Sequence, residues 1–236
     1  MKAMKLNQDQ IRKFQTEGFL GPIRAFASGD VDAFLLKVSP ILSGGEPSHH
    51  RHLDSESVYR LCTSESIVGP IVSLLGADLL LWASNFFIKE PGAVETPWHQ
   101  DHNYGIDPTL EPPLNISIWL ALDDVLAKNS CMKFFPGSHR KVVPHDPPAP
   151  GYYFGRADMT GFDVTQAIDM ELKKGEFVIF TDRVIHGAEP NKSDYRRAGF
   201  AMRFTVPFVK ILRPIKPLLI SGEDRFGFNE LGKPPV

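Results

Sequence analysis

Two histidines and one aspartate, at positions 99, 101 and 186, have the side-chain types and the spacing of a metal site. His99 and Asp101 are two residues apart, so on an extended strand their side chains leave the same face. His186 comes much later in the chain, after the apolar run FVIF at 177–180 and before a glycine. Two imidazoles and one carboxylate on one side of a metal, with the other coordination positions open, are typical of non-haem Fe(II) oxygenases. We therefore expect the three side chains to meet around a ferrous ion.

Arg197 follows eleven residues after His186. Its rigid guanidinium fork can pair bidentately with a carboxylate, and a carboxylate anchor beside such a metal suggests an enzyme that consumes a 2-oxo acid. The ordinary alternatives stay open at this point. An Arg196–Arg197 pair most often forms surface salt bridges, and an isolated His-x-Asp tripeptide is often a surface turn with an N-capping aspartate.

Two other functional classes are compatible with the same residues. A zinc hydrolase can use two histidines, one carboxylate and a bound water. In a non-catalytic binding module the histidines would merely pack. Arg197 separates these classes, because a hydrolase has no need of a carboxylate fork beside its metal. A further histidine cluster at 49–52 (HHRH) suits no regular zinc spacing, so we expect it on a loop at the substrate entrance.

Composition excludes several kinds of partner. A net charge of −2 gives no electrostatic footprint for nucleic acid. The polar start of the chain lacks a signal-peptide core, and no stretch of about eighteen apolar residues is present to span a bilayer. The two cysteines form no pattern, which favours a thiol-bearing cytoplasmic protein. We expect a small-molecule substrate, no nucleic acid, no membrane, and a monomer or weak homodimer.

The first third of the chain predicts helices. Asn7 and Gln10 form a capping pattern before a helix that Gly18 can end. Asp30 is the predicted cap of a second helix, stopped by Pro40. Apolar residues at helical spacing follow Ser64.

After Gly76 the pattern changes to short aromatic and aliphatic strands. The predicted strands are 79–89, 115–122, 132–135, 176–181 and 198–206, with Pro- and Gly-rich loops at 105–113 and 144–161. The fold class is therefore mainly β, an antiparallel barrel or jelly roll behind a helical N-terminal layer. We expect a single domain over 1–236, with a mostly helical layer at 1–76, the jelly-roll core at 77–210 and a C-terminal tail at 211–236 that wraps the surface.

These patterns together resemble the phytanoyl-CoA dioxygenase family of Fe(II)/2-oxoglutarate-dependent oxygenases. The matching stretches are LNQDQIRKFQTEGFL (6–20), FIKEPGAVETPWHQD (87–101), ISIWLALDD (116–124), NSCMKFFPGSH (129–139), KKGEFVIFTDRVIHGAEPNKS (173–193) and RRAGFAMRF (196–204). The resemblance covers most of the chain. It implies a double-stranded β-helix, a cupin-like jelly roll with the metal at its open end.

The resemblance also implies roles for individual residues. His99, Asp101 and His186 match the iron ligands, and Arg197 matches the arginine that binds the distal carboxylate of 2-oxoglutarate. Trp119 matches a tryptophan that lines the cosubstrate pocket, although ordinary core packing explains it equally well. The remaining site predictions are weaker: Asn85 and Phe87 alternate onto one face and would reach the same pocket, and Gln100, His102 and Tyr104 would form substrate walls.

One position departs from the family pattern. Many relatives carry a serine or threonine two residues after the second histidine, and Ala188 stands there in this chain. The loss of one neutral hydrogen bond would weaken cosubstrate binding by about 1 kcal/mol.

The implied activity is an oxidation that uses Fe(II), 2-oxoglutarate and O2 and releases succinate and CO2. Hydroxylation of a C–H bond in a small metabolite or natural-product intermediate is the leading expectation. Related halogenases lack the carboxylate at the position of Asp101, so its presence favours hydroxylation, or a desaturation or ring closure derived from it, over halogenation. A non-catalytic jelly-roll module is the alternative.

Overall fold

The computed structural model describes residues 4–101, 105–107 and 109–235. Helices occupy most of the first third of this part of the chain, as the sequence predicts. They are α1 (Gln8–Glu17), α2 (Ser28–Lys37), α3 (Ser39–Leu42), α4 (Glu56–Cys62) and α5 (Glu65–Leu75). Nowhere in the described ranges does a helix reach the length and apolarity required to cross a membrane.

The caps of α1 and α2 test the helix predictions. Asn7 accepts a hydrogen bond from the Gln10 backbone N–H and donates its own N–H to the Gln10 side chain, both at 2.9 Å, so the predicted capping box is confirmed. The predicted cap of α2 is wrong, whereas the helix ends at Lys37, before Pro40, as predicted. Ala27 is its cap, Asp30 lies in its first turn, and Pro40 lies at the start of α3, where a missing N–H costs no helical hydrogen bond.

The strands form two antiparallel sheets that face each other. The strands are β1 (Phe19–Arg24), β2 (Leu79–Lys89), β3 (Thr96–His99), β4 (Ile116–Ala121), β5 (Met132–Phe134), β6 (Ile168–Met170), β7 (Glu176–Thr181), β8 (His186–Ala188), β9 (Arg197–Thr205) and β10 (Leu218–Ser221). The larger sheet has the order β1-β7-β4-β9-β2-β10, and the smaller has the order β3-β8-β5-β6. This is the double-stranded β-helix expected from the sequence.

Two strands, β1 and β10, lie in segments for which the sequence does not predict strands. β1 lies inside the region predicted to be mostly helical, yet it pairs with β7 and extends the larger sheet. β10 lies in the predicted surface tail, yet it pairs with β2 and buries Leu218. Both are edge strands of four to six residues with little hydrophobic alternation, so their sequences carry only a weak strand signal.

The larger sheet separates two hydrophobic cores. Its outer face packs against the helices, for example through Phe34, Phe86 and Phe200. Its inner face packs against the smaller sheet through Phe134 and Phe180. Since side chains alternate along each strand, every second residue of β2, β4 and β9 points toward the smaller sheet, where the candidate site lies.

Candidate active site

The pairing of β3 with β8 brings the two predicted metal-binding histidines together. His99 lies directly opposite His186 in the antiparallel register, and their ring centroids are 4.2 Å apart. Asp101 follows two residues after the end of β3. Each of the three residues offers one ligand atom, and these atoms all lie within 4.8 Å of one another. Residues separated by much of the chain thus form one buried cluster.

Backbone carbonyls fix which nitrogen each histidine presents. The Nδ1 of His99 lies 2.8 Å from the Pro97 carbonyl oxygen, and the Nδ1 of His186 lies 3.0 Å from the Val184 carbonyl oxygen. Because a carbonyl only accepts, each Nδ1 carries a proton, and Nε2 is the nitrogen of each ring that can bind a metal. Burial, with a further contribution from His99, lowers the pKa of His186 to about 3, so its ring is neutral at neutral pH.

Arg203, on β9 of the larger sheet, holds the carboxylate of Asp101. Its Nη2 donates to Asp101 Oδ2 at 3.2 Å, and both side chains are buried. Burial alone would raise the pKa of Asp101. The Arg203 charge and the two imidazoles outweigh that effect, and the pKa of Asp101 stays well below its usual range. The carboxylate is therefore ionised and oriented, with Oδ1 left over as a ligand atom.

Unsatisfied atoms in this cluster show that it fits a cation. His99 Nε2 and Asp101 Oδ1 are buried and have no hydrogen-bond partner among the residues that the structure describes. Leaving two such atoms unpaired would cost about 1–3 kcal/mol each, so buried polar groups of this kind need a partner. A divalent metal would provide one for both. Two imidazoles and one carboxylate suit Fe(II) in particular.

Arg197 lies in the same cavity as the three candidate ligands. The cavity lining includes His99, Asp101, His186 and Arg197. Arg197 Nε donates to the Ser130 carbonyl oxygen at 2.9 Å. Burial lowers the pKa of Arg197 to about 10, which leaves it charged at neutral pH. Within the described chain no carboxylate pairs with this buried cation, so it is available to an anionic ligand.

The Trp119 ring contacts the guanidinium group of Arg197. The Arg197 guanidinium carbon lies 4.7 Å from the centroid of the Trp119 ring, a distance within the range of a cation–π contact. The indole also lines the shared cavity. Gly199, on the adjacent β9, leaves the space that the indole occupies: a Cβ added there would lie 1.7 Å from Trp119 Cζ2.

We therefore expect Gly199→Ala to displace Trp119 and to lower the free energy of unfolding by about 1–3 kcal/mol, the usual cost of overpacking a core. Urea denaturation measures this change. Gly29→Ala is the matched control, because Gly29 is exposed on α2 and an added Cβ meets nothing within 4 Å. Equal stability of the two variants would show that the indole does not depend on Gly199.

Lys89 is a site residue that the sequence analysis missed. It lies directly opposite Arg197 in the β2–β9 pairing, so the two side chains share a face. Its Nζ donates to Ser130 Oγ at 3.0 Å and to the Glu189 carbonyl oxygen at 3.1 Å. Burial, followed by the charge of Arg197, lowers the pKa of Lys89 to about 7. The alternation that selected Asn85 and Phe87 continues to Lys89 and could have identified it.

The structure separates the two other residues predicted on this face. Phe87 lines the cavity of the candidate ligands, whereas Asn85 lines a neighbouring cavity together with Arg203. Ala188 lies opposite Thr96 in the β3–β8 pairing, and both line the metal-side cavity. The position at which many relatives carry a serine or threonine is thus an alanine here, and the hydroxyl of Thr96 lies on the same cavity wall.

Gln100 does not take the substrate-wall position that we predicted. Its Nε2 donates to the Lys141 carbonyl oxygen at 2.8 Å and to the Arg183 carbonyl oxygen at 2.5 Å. Its Oε1 accepts the Val143 N–H at 3.0 Å. The amide is therefore occupied in holding two loops together. The other two predicted substrate walls, His102 and Tyr104, lie outside the described residues.

Aromatic residues of the long 144–161 loop cover the site. Phe154 stacks on the His99 ring with centroids 3.9 Å apart. Tyr153 packs edge-on against Phe154 and places its hydroxyl 3.4 Å from His49 Nε2. Phe154 and Tyr153 thus connect this loop to His99 and to the histidine cluster at 49–52.

Loss of the Arg203 contact is expected to weaken the metal site. In Arg203→Met, the Asp101 carboxylate loses the donor that orients it and lowers its pKa, so protons compete better with the metal. We expect divalent-metal affinity at pH 7 to fall about 10–100-fold, the usual effect of removing an outer-shell partner. Competition with a chelating dye measures it. Arg225→Met, at an exposed arginine, should bind metal as the wild type does.

Comparisons with known proteins agree with this geometry. The family described as phytanoyl-CoA dioxygenase matches the chain over residues 15–199. Dioxygenase lolE1 of Epichloe uncinata is 30% identical over 139 residues, which are 59% of this chain and 51% of that protein. The chain spans between 40% and 63% of the length of the curated relatives shown by this comparison.

Solved structures give the same fold. The non-haem monooxygenase ThoJ, in its apo form, has a TM-score of 0.80 at 26% identity. The match covers 96% of this chain and 88% of the ThoJ chain. The structure of CytC3 with Fe(II) and α-ketoglutarate (2-oxoglutarate) has a TM-score of 0.78 at 22% identity, over 98% of this chain and 95% of its own. The second likeness is below 25% identity and supports the fold alone.

Proposed function

Because the chain belongs to the phytanoyl-CoA dioxygenase family of Fe(II)/2-oxoglutarate oxygenases, we propose that it hydroxylates a C–H bond of a small organic substrate. One observation carries the proposal. A single cavity is lined by two histidines and a carboxylate and also by Arg197, a buried cation without a carboxylate partner in the described chain. That combination favours a bound metal together with an anionic cosubstrate.

The chain's own residues have distinct tasks in this proposal. His99, Asp101 and His186 would hold Fe(II), which when bound supplies the oxidation of substrate by O2 coupled to 2-oxoglutarate decarboxylation. Arg197 pairs with the distal carboxylate of the cosubstrate. Trp119 keeps the guanidinium plane in position, and Lys89 lies opposite Arg197 on the neighbouring strand. Phe87 and Phe154 exclude water from the space beside the candidate ligands.

Arg197 also disfavours the zinc hydrolase alternative. A hydrolase needs an open metal position for water, but it gains nothing from a buried guanidinium that faces the metal cavity without a carboxylate partner. The non-catalytic module is disfavoured by the unsatisfied His99 and Asp101 atoms, since packing histidines would be hydrogen-bonded. The presence of Asp101 favours hydroxylation over halogenation, with desaturation or ring closure as the alternative outcomes of the same cofactor chemistry.

Release of labelled CO2 tests the proposal without a known substrate. The protein is incubated in air with Fe(II), ascorbate and 2-oxoglutarate labelled at its C1 carboxylate, and succinate and CO2 are measured together. We expect slow, equal release of both that requires Fe(II) and 2-oxoglutarate. Replacement of Fe(II) by Zn(II) should abolish it. Absence of both products under all conditions would contradict the proposed activity.

Once a substrate is found, the mass of its product distinguishes the reaction types. Hydroxylation adds one oxygen atom that derives from O2, whereas desaturation or ring closure removes two hydrogen atoms. We expect the former.

A further inference from the structure

Thr96 and Ala188 lie directly opposite each other where β3 pairs with β8. The other directly opposed pair is His99 with His186, three residues further along β3 but only two residues back along β8. β3 therefore contains one extra residue, a β-bulge, between Thr96 and His99. In a regular strand, residues three apart point to opposite faces, whereas the extra residue returns Thr96 to the face of His99. Thr96 accordingly lines the metal-side cavity with both histidines.

Thr96 lies at the Arg197 end of that cavity. A larger outer cavity, of about 650 Å³, adjoins the metal-side cavity. Four residues line both cavities and therefore mark the boundary between them: Phe87, Thr96, Phe154 and Arg197. The three candidate metal ligands do not line the outer cavity. Thr96 and Arg197 thus share the end of the metal-side cavity that faces away from those ligands.

The Thr96 side chain carries the only hydroxyl among the described residues that line the metal-side cavity. Within the part of the chain that the structure describes, this hydroxyl makes no hydrogen bond. Other polar side chains of the lining have partners or tasks already: Arg203 pairs with Asp101, and the two histidines are candidate metal ligands. The Thr96 hydroxyl is therefore available to a ligand that binds at the Arg197 end.

A carboxylate bound at this end needs more donors than Arg197 alone provides. The two oxygens of an ionised carboxylate offer about four lone-pair sites, and a bidentate guanidinium fills two of them. Arg197 uses its Nε for the Ser130 carbonyl oxygen, which leaves its terminal nitrogens for the carboxylate. Acceptors that stay unpaired in a buried site cost free energy, and a hydroxyl can rotate to donate to one of them. Thr96 provides such a hydroxyl.

We propose that the Thr96 hydroxyl donates to the distal carboxylate of 2-oxoglutarate, beside Arg197. The inference rests on the proposed function and adds a cosubstrate-binding residue to it. Ala188 offers only a methyl group from the directly opposite position, so β3 rather than β8 supplies the hydroxyl to this part of the wall. Thr96 thereby helps to select a 2-oxo acid with two carboxylates over one that has a single carboxylate.

Calorimetry with two ligands of the same carbon chain tests the assignment. The Fe(II)-loaded protein is titrated under anaerobic conditions with 2-oxoglutarate or with 2-oxopentanoate, which lacks the distal carboxylate. We expect Thr96→Val, which keeps the shape but removes the hydroxyl, to bind 2-oxoglutarate about tenfold more weakly, the effect of one hydrogen bond to a charged group. Its affinity for 2-oxopentanoate should stay close to that of the wild type. Thr96→Ser, which keeps the hydroxyl, should retain most of the affinity for 2-oxoglutarate.

Two further variants complete the design. Ala188→Ser places a hydroxyl on the opposite strand, and in combination with Thr96→Val it should recover part of the lost affinity for 2-oxoglutarate. Thr165→Val, at an exposed threonine that lines neither cavity, should bind both ligands as the wild type does.

Several outcomes would overturn the inference. They are wild-type affinity for 2-oxoglutarate in Thr96→Val, an equal loss of affinity for both ligands, an equal loss in Thr96→Ser, or no recovery in the double variant. Any of these outcomes, together with normal binding of 2-oxoglutarate by the wild-type protein, contradicts the role of Thr96 alone. Failure of the wild-type protein to bind 2-oxoglutarate contradicts the proposed function itself.

Discussion

Replacing Arg197 with methionine is expected to raise the KM for 2-oxoglutarate by about 30-fold or more and to leave metal affinity nearly unchanged. Truncating one partner of a buried, hydrogen-bonded charge pair costs about 2–5 kcal/mol, and 2 kcal/mol corresponds to that factor. Methionine keeps apolar contact with Trp119 but cannot pair with a carboxylate. Succinate formation at varied 2-oxoglutarate concentration measures the effect, and a chelating dye measures metal affinity.

Arg196→Met is the matched control for that experiment. Arg196 is adjacent in sequence, but its guanidinium pairs with Asp123 at 3.0 Å and does not line the metal-side cavity. Its replacement should leave the KM for 2-oxoglutarate within about twofold. An unchanged KM in Arg197→Met would show that the cosubstrate carboxylate binds elsewhere.

Replacing His186 with alanine is expected to lower divalent-metal affinity by more than about 100-fold and to abolish succinate formation. Changes to outer-shell residues already cost about 10–100-fold, and this substitution removes a ligand itself. Metal binding is followed by calorimetry under anaerobic conditions. The substitution should leave the fold intact. Circular dichroism checks this, since it would report any loss of the surrounding sheets.

His139→Gln controls for the loss of an imidazole in general. His139 lies far along the chain from the candidate ligands and contacts the Gln15 carbonyl oxygen through Nε2, a bond that glutamine can replace. We expect wild-type metal affinity in this variant. Metal binding by His186→Ala at wild-type affinity would remove His186 from the ligand set.

Local patterns in the sequence predicted the central features of the site. The two-residue step from His99 to Asp101 defined a shared face, and the strand-like run before His186 placed a second imidazole at a sheet edge. The structure brings these side chains together because β3 and β8 pair with the histidines in register. The sequence alone identified both histidines as candidate ligands, but it could not predict the register in which their two strands pair.

The same alternation shows why the prediction for Gln100 differs from the structure. Adjacent to two ligands in sequence, Gln100 looked like a pocket wall. On an extended segment, however, neighbouring residues point to opposite faces, so the residue between His99 and Asp101 points away from the cavity. Lys89, in contrast, follows the alternation of Asn85 and Phe87 and could have been assigned to the same face. A lysine at the end of a strand is usually solvent-exposed, so its residue type gave no indication of the site.

The hydrogen-bond partners that other strands provide to the site residues could not be predicted from the sequence. The contact of Arg203 with Asp101 and the bond from Arg197 to the Ser130 carbonyl depend on which strands become neighbours. The edge strands β1 and β10 depend equally on tertiary pairing, because a short strand gains its stability from the sheet that it joins. Their sequences therefore do not distinguish them from loops.

Anaerobic titration of the protein with Fe(II) and 2-oxoglutarate, followed by visible absorption, tests whether the residues of the candidate site bind iron and cosubstrate at one site. We expect a weak charge-transfer band that appears only when both are present and saturates at one equivalent of each. The band should be absent in His186→Ala and should require much more 2-oxoglutarate in Arg197→Met. A band of wild-type strength in His186→Ala, or none in the wild-type protein, would contradict a site built from His99, Asp101, His186 and Arg197.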